Sequence, residues 1–340
     1  MASCLCARKI LDNLTHSLAG AVLGQMGLKK KTGLGMATLI IAANIPDIDA
    51  VATLLDGVQH LAIRRGITHG PIAMLLLPLL LTGIMIWFDA WQTKRGKRPA
   101  DRLPIHRGWL LALAYIGCLS HPALDWLNSY GIRLLEPFSS QWFYGDSIFI
   151  IDVWIWAALI VGFWLSRRRE KKGRSNWQRP AWISFAAVCA YIFANGLITG
   201  RAEAQTRQLL TEQAADVSAA ELVQRRAALV VANPVPFQFW KREILWRDQS
   251  TYGSGAFDLF GNLVFGPEQK IPGNADFLES EVARSSKDGA AFLFWSRMPV
   301  VKATGAVVTV RDQRFMDPLV ADRFAVRVNV RKDRLERGRP

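Results

Sequence analysis

Five stretches without a charged side chain, residues 13–28, 32–46, 71–88, 109–124 and 180–200, constrain this chain more than any other feature. A sixth, residues 147–165, is broken only by Asp152. A helix rises about 1.5 Å per residue, so roughly 18–20 apolar residues are needed to cross the hydrocarbon of a bilayer. Residues 71–88, 147–165 and 180–200 meet that length, and 109–124 nearly does. The first two runs are shorter and interrupted by polar residues, which suits tilted, re-entrant or packed segments. From residue 201 onward charges of both signs recur every few positions, and no long apolar run remains.

Charge placement orients these segments. The net charge of +14 would suit a nucleic-acid partner, but no binding motif accompanies it. Lys29, Lys30 and Lys31, the basic residues of 94–107 and those of 167–174 all fall between apolar runs, where the positive-inside rule reads cytoplasmic loops. Fixing those loops inside carries the opposite ends of the segments outside. Residues 32–46 then deliver Asp47 and Asp49 to the outer face. His69 stands at the outer mouth of 71–88, and 109–124 brings out His121 and Asp125. His16 begins the first run on that same side, and Asp146 and Asp152 start the run that returns inward. Arg64 and Arg65 are the one basic pair on the outer side, placed to hold an anionic substrate or headgroup.

The expected fold is mainly α: a polytopic transmembrane helical core followed by a small α+β extracytoplasmic domain. Residues 1–11 form a variable extension, 12–200 the membrane core, 201–330 the soluble domain and 331–340 a basic tail. In the soluble part, 202–229 reads as a helix, Asn233-Pro234-Val235-Pro236 as a break, and 237–247, 300–310 and 323–330 as strands. The loop 126–146 is rich in aromatics, as either an interfacial belt or a wall over a site. Cys118 and Cys189 lie in apolar runs and read as small buried hydrophobes. No cysteine follows residue 189, so the C-terminal part is no disulfide scaffold.

Ionisable groups at a bilayer edge are costly, and a set of them converging on one face points to a site. Asp47 and Asp49 follow Pro46, where a helix can stop; neighbouring carboxylates resist joint ionisation unless a cation shares them. His121 and Asp125 are four apart, on one face of a helix, with Pro122 expected to restart it. A lone pair of either kind is more often a cap or an interfacial hydrogen bond. Three His and three Asp on one side favour a metal, and imidazole with carboxylate suits zinc, manganese or iron better than calcium or magnesium.

Asp-Asn-Leu-Thr-His at 12–16, Pro-Asp-Ile-Asp at 46–49, Arg-Gly-Ile-Thr-His at 65–69 and His-Pro-Ala-Leu-Asp at 121–125 occur in that order. Ser129-Tyr130-Gly131, Glu136-Pro137-Phe138-Ser139 and Tyr144-Gly145-Asp146 through Asp152 extend the series. The set resembles the bacterial YdjM-like group of predicted inner-membrane metal-dependent hydrolases over about residues 12–165. Members of that group often have His where this chain has Arg64, and Pro where it has Val153. The resemblance implies a divalent metal, zinc before manganese or iron, held by His16, Asp47, Asp49, His69, His121 and Asp125. Asp146 and Asp152 are the candidates for a general base or for orienting the ligands. The expected partner is membrane lipid, with a lipid or lipid-linked phosphoester as substrate and no nucleic acid. A metal that only staples helices and an ion-coupled transporter are the rival readings. Transport sites lie near the bilayer midplane rather than at one edge.

Overall fold

The computed structural model describes residues 2–54, 58–215, 218–316 and 324–330, without the side chains of residues 2–12 and Glu221. The tail 331–340 and the side chains of Cys4 and Cys6 therefore lie outside the described residues. The chain divides into two compact units, residues 1–49 with 65–196, and residues 50–64 with 197–340.

The first unit is helical. Its elements are α1 (Ala2–Gln25), α2 (Gly35–Ala42), α4 (Pro71–Lys94), α5 (Arg107–Trp126), α6 (Val153–Lys171) and the first half of α7 (Arg179–Ala215), while α3 (His60–Ile63) belongs to the second unit. Among the described residues, α4 and α7 are long and apolar enough to cross a membrane. The pair formed by α2 and the 3-10 segment Ile45–Leu54, bent by 44°, would make a third span if it counts as one.

Several expectations change here. The run 32–46 yields only eight helical residues in α2, about 12 Å, before the chain tightens into 3-10 geometry at Ile45. The run 147–165 begins as irregular backbone, and α6 starts only at Val153, because Asp152 accepts hydrogen bonds from Trp154 N and Ile155 N and so caps it. Pro122 does not restart α5; the helix continues through it to Trp126, clamped by the packing of α5 on α2 and α4.

Close approach of α1 and α5 to α2 is set by two glycines. A Cβ on Gly20 would stand 2.7 Å from Leu39 O, and one on Gly117 would meet Ala42 Cβ at 2.7 Å and Leu39 O at 2.8 Å. Small residues of this kind let helix backbones pack closely where lipid offers no hydrophobic drive. His16 lies one turn before Gly20 and His121 one turn after Gly117, so the same contact brings both imidazoles to one end of the bundle. Ala42, Leu81, Met85, Leu110, Ala114 and Cys118 fill the space between α2, α4 and α5. Val22, Ile148, Ile155, Leu159, Ala181 and Val188 join α1, α6 and α7.

The second unit is α+β. Helix α7 runs past Gly200 without a break to Ala215, 37 residues or roughly 56 Å, so the expected separate helix over 202–229 is its tail plus α8 (Ala219–Arg226). The expected break at 233–236 lies mostly in a strand. β1 (Leu229–Val235), β2 (Gln238–Arg247), β3 (Thr251–Asp258) and β4 (Leu263–Phe265) form an antiparallel sheet in that order, with β5 (Gln269–Lys270) also on β3. The register of β1 on β2 shifts at Pro234/Val235, where proline has no N–H to donate. After α9 (Ala275–Ser285) and α10 (Lys287–Trp295), a second sheet has the order β6 (Pro299–Thr304), β7 (Val307–Asp312), β8 (Ala325–Asn329). The single strand expected over 300–310 is thus a hairpin that turns at Gly305, whose φ of 60° suits a glycine.

A buried knot ties the two sheets. Asp312 accepts from Arg314 Nε at 2.8 Å, Arg314 Nη2 at 2.8 Å, Ser296 Oγ at 2.7 Å and Arg297 N at 2.9 Å. Gln313 Nε2 donates to Gly253 O of β3 at 2.7 Å. Burial alone would raise the Asp312 pKa, but the Arg314 charge and these donors outweigh it and hold it at about 2.

Candidate metal centre

Three segments of the helical unit meet at one point. The 3-10 turn after α2 supplies Asp47, the short 3-10 turn Ile67–His69 before α4 supplies His69, and the last two turns of α5 supply His121 and Asp125. Each of the four offers one ligand atom, these atoms lie within 4.8 Å of one another, and all four residues are buried. His69 Nε2 stands 3.1 Å from His121 Nε2. Asp125 Oδ2 is 3.4 Å from His121 Nε2 and 3.6 Å from His69 Nε2, and Asp47 Oδ1 is 3.8 Å from His121 Nε2.

Hydrogen bonding on the far side of each ring decides what faces this point. His121 Nδ1 lies 2.7 Å from Ala43 O. A carbonyl only accepts, so Nδ1 carries the proton and, in the neutral ring, Nε2 presents its lone pair. His69 Nδ1 lies 2.9 Å from Thr68 Oγ1, which donates its own proton to Asp49 Oδ2 at 3.0 Å. Thr68 therefore accepts from His69 Nδ1–H, and His69 Nε2 also turns a lone pair inward. Burial pushes the His69 imidazole below its ordinary pKa, which favours that neutral ring. Two such lone pairs 3.1 Å apart repel unless a cation, a proton or a metal ion, lies between them.

The donors fit a metal. Zinc takes nitrogen and oxygen ligands at about 2.0–2.1 Å, so tetrahedral neighbours stand roughly 3.3 Å apart. Four of the spacings, 3.1–3.8 Å, bracket that value, and the remaining pairs lie within 4.8 Å. Asp125 Oδ2 is buried and makes no hydrogen bond of ordinary geometry. Asp47, Asp49 and Asp125 bring three carboxylates to the site; the guanidinium of Arg65 pairs with Asp125 Oδ1 at 2.9 Å, and the Arg133 charge acts on Asp49.

Of the other expected residues, His16 and Asp49 stand one contact back. His16 stacks on His121 with ring centroids 3.8 Å apart and places Nε2 3.4 Å from Asp125 Oδ1. Asp49 faces the Nδ1 side of His69 and accepts from Arg65 N at 2.7 Å. Asp152 caps α6 and accepts from Tyr191 Oη at 3.0 Å. Asp146 is buried in left-handed backbone, φ 46°, beside the end of α5, where Ser147 N and Ile148 N both bond Leu127 O.

Arg65 is not the exposed anion receptor that the sequence suggested. It is buried, with Nη1 donating to Asn128 Oδ1 at 3.0 Å and the guanidinium 4.8 Å over the Tyr130 ring. Its tie to Asp125, and the role of Thr68, escaped the sequence reading. The Thr-His dipeptide at both 15–16 and 68–69 was the available signal, although Thr15 serves differently, accepting from Trp156 Nε1 at 2.8 Å.

A family model described as YdjM inner membrane protein matches residues 11–202, more than half of the chain and every residue of the cluster. No curated protein and no solved structure matches.

Proposed function

The chain belongs to the YdjM inner membrane protein family, and from that premise we propose a multi-pass membrane protein that holds one divalent transition metal ion and uses it for hydrolysis. The observation that carries the metal is the set of four buried ligand atoms, from Asp47, His69, His121 and Asp125, that lie within 4.8 Å of one another. Zinc is the ion of choice, with manganese and iron as alternatives that accept the same donors. Bound there, the ion would supply Lewis-acid charge that acidifies water and polarises a scissile group. His69, His121, Asp125 and Asp47 would hold it, Arg65 would steady Asp125, and His16 would pack behind His121. Asp146 is the candidate base, because Asp152 is committed to its cap.

Orientation follows from two opposite ends. The cluster sits at the C-terminal end of α5 and just before α4. The other ends carry cation–aromatic pairs: Lys31 over Trp109, Arg95 over Trp91 and Arg168 over Trp164, all within 4.7–5.4 Å. Such a basic and Trp-rich level supports a cytoplasmic interface there and an extracytoplasmic cluster and C-terminal domain. Exposed apolar side chains adjoin the ligands in sequence: Ile48, Ile67 and Trp126, with Leu135 and Phe138 on the loop beyond α5. They support a substrate that arrives from the bilayer, a lipid or lipid-linked phosphoester.

A second reading has its own observation. Four protein donors can close a tetrahedral sphere, and closed sites are structural, whereas catalytic ones keep a position open. Asp47, the most distant donor, decides between them. As a catalytic site, Asp47→Asn should abolish turnover of a lipid-phosphoester panel while the protein still folds. As a staple, wild type should hydrolyse nothing and the variant should melt earlier.

A further inference from the structure

We propose that Asp49 and Thr68 are positioning residues that fix the tautomer of His69, rather than ligands of the ion. The inference rests on the metal-centre reading above but is carried by separate geometry. Asp49 Oδ2 accepts from Arg65 N at 2.7 Å and from Thr68 Oγ1 at 3.0 Å, and stands 3.5 Å from His69 Nδ1. Thr68 Oγ1 donates its single proton to Asp49 Oδ2, so the Thr68 oxygen offers His69 a lone pair and nothing else. The ring must then carry its proton on Nδ1 and turn Nε2 toward His121, Asp125 and Asp47. Were Thr68 free to rotate its proton toward His69, the tautomer would reverse and an N–H would aim into the cluster.

The same logic assigns Arg65 a backbone role here. Its amide holds Asp49 on the Nδ1 side of the ring, and its left-handed backbone, φ 54°, aims that amide while the guanidinium reaches Asp125. A bulky residue at such a φ is uncommon and persists where its surroundings fix it. His121 reaches the same tautomer by a simpler route, through Ala43 O. Outer partners of this kind orient ligand imidazoles, and their loss typically weakens metal affinity about 10–100-fold.

The test uses the full-length protein in detergent with ¹⁵N-labelled histidine, since the chain has five histidines to resolve. The His69 signal is assigned by its loss in His69→Asn. In metal-free wild type, His69 should show its proton on Nδ1, and Thr68→Val, which keeps the shape but not the hydroxyl, should move it toward Nε2. Zinc affinity by chelator competition should fall about 10–100-fold in Thr68→Val and recover to within about threefold in Thr68→Ser. A wild-type His69 protonated on Nε2, or a Thr68→Val variant with unchanged tautomer and zinc affinity, overturns the proposal. If wild type binds no zinc, the metal reading falls instead, and the tautomer in the metal-free protein alone decides whether Asp49 and Thr68 position His69.

Discussion

Asp125 divides its oxygens between opposite partners. Oδ1 takes Arg65 and His16, while Oδ2 faces His69 and His121. The i, i+4 spacing on α5 made the His121–Asp125 pair legible in sequence, because helical geometry alone puts those side chains together. The guanidinium on the other oxygen was not legible, since it comes from a buried, left-handed residue 60 positions away. Charge counting placed Arg65 on the outer side as a free cation, whereas burial turns it into a partner. Asp312 makes a comparable case in the second unit, and there the charge has a consequence for stability. Its pKa of about 2 lies below the ordinary 3.8, so it stabilises the folded form above roughly pH 4, and that contribution fades as pH falls toward 2. The shift corresponds to about 2 kcal/mol. Asp312→Asn should cost more near neutral pH, about 3–5 kcal/mol, because Arg314 is left buried without its partner. Thermal unfolding followed by limited proteolysis between pH 7 and 3 should show the variant melting lower at pH 7 and losing less than wild type on acidification. An equal loss in both would detach the knot from acid stability.

At the scale of elements, the apolar runs foretold where helices lie better than where they begin and end. Length and hydropathy sufficed for α4, and for α5 apart from its proline. The short α2, the late start of α6 and the uninterrupted α7 depend on caps and packing, which a run of apolar letters does not encode. In the second unit, the alternation of β2 was readable, but β1 lay hidden behind Asn233 and Pro234, and the β6–β7 turn behind a mostly β-branched stretch. Helix packing also makes a prediction of its own. Gly117→Ala would drive a methyl into Ala42 Cβ and Leu39 O, both under 3 Å away, and push α5 off α2. Overpacking of this kind costs about 1–3 kcal/mol. The variant should melt lower and, because His121 rides one turn along, retain less metal at equal protein. A melting temperature and metal content both matching wild type would show that the helices can separate there without consequence.

For the whole molecule, the site and the basic, Trp-rich level mark opposite ends of the helical unit, and α7 leads from that unit into the β-rich one. The proposed orientation sends the chain outward after Gly200. A periplasm-dependent reporter fused after Pro340 should therefore be active, and a cytoplasm-dependent one silent; the reverse pattern would invert the topology. Charge placement along the chain puts His16, Asp47, Asp49, His69, His121 and Asp125 on one side, and the fold brings ligand atoms of four of them, Asp47, His69, His121 and Asp125, within 4.8 Å of one another. Metal analysis of the purified full-length protein, after exposure to zinc and removal of excess, shows whether that cluster holds an ion. Wild type should retain about one ion per chain and the His121→Ala, Asp125→Ala double variant much less, with both recovered from the membrane in similar amounts. Wild type that retains no metal, or a double variant that retains as much, would contradict an ion held by that cluster.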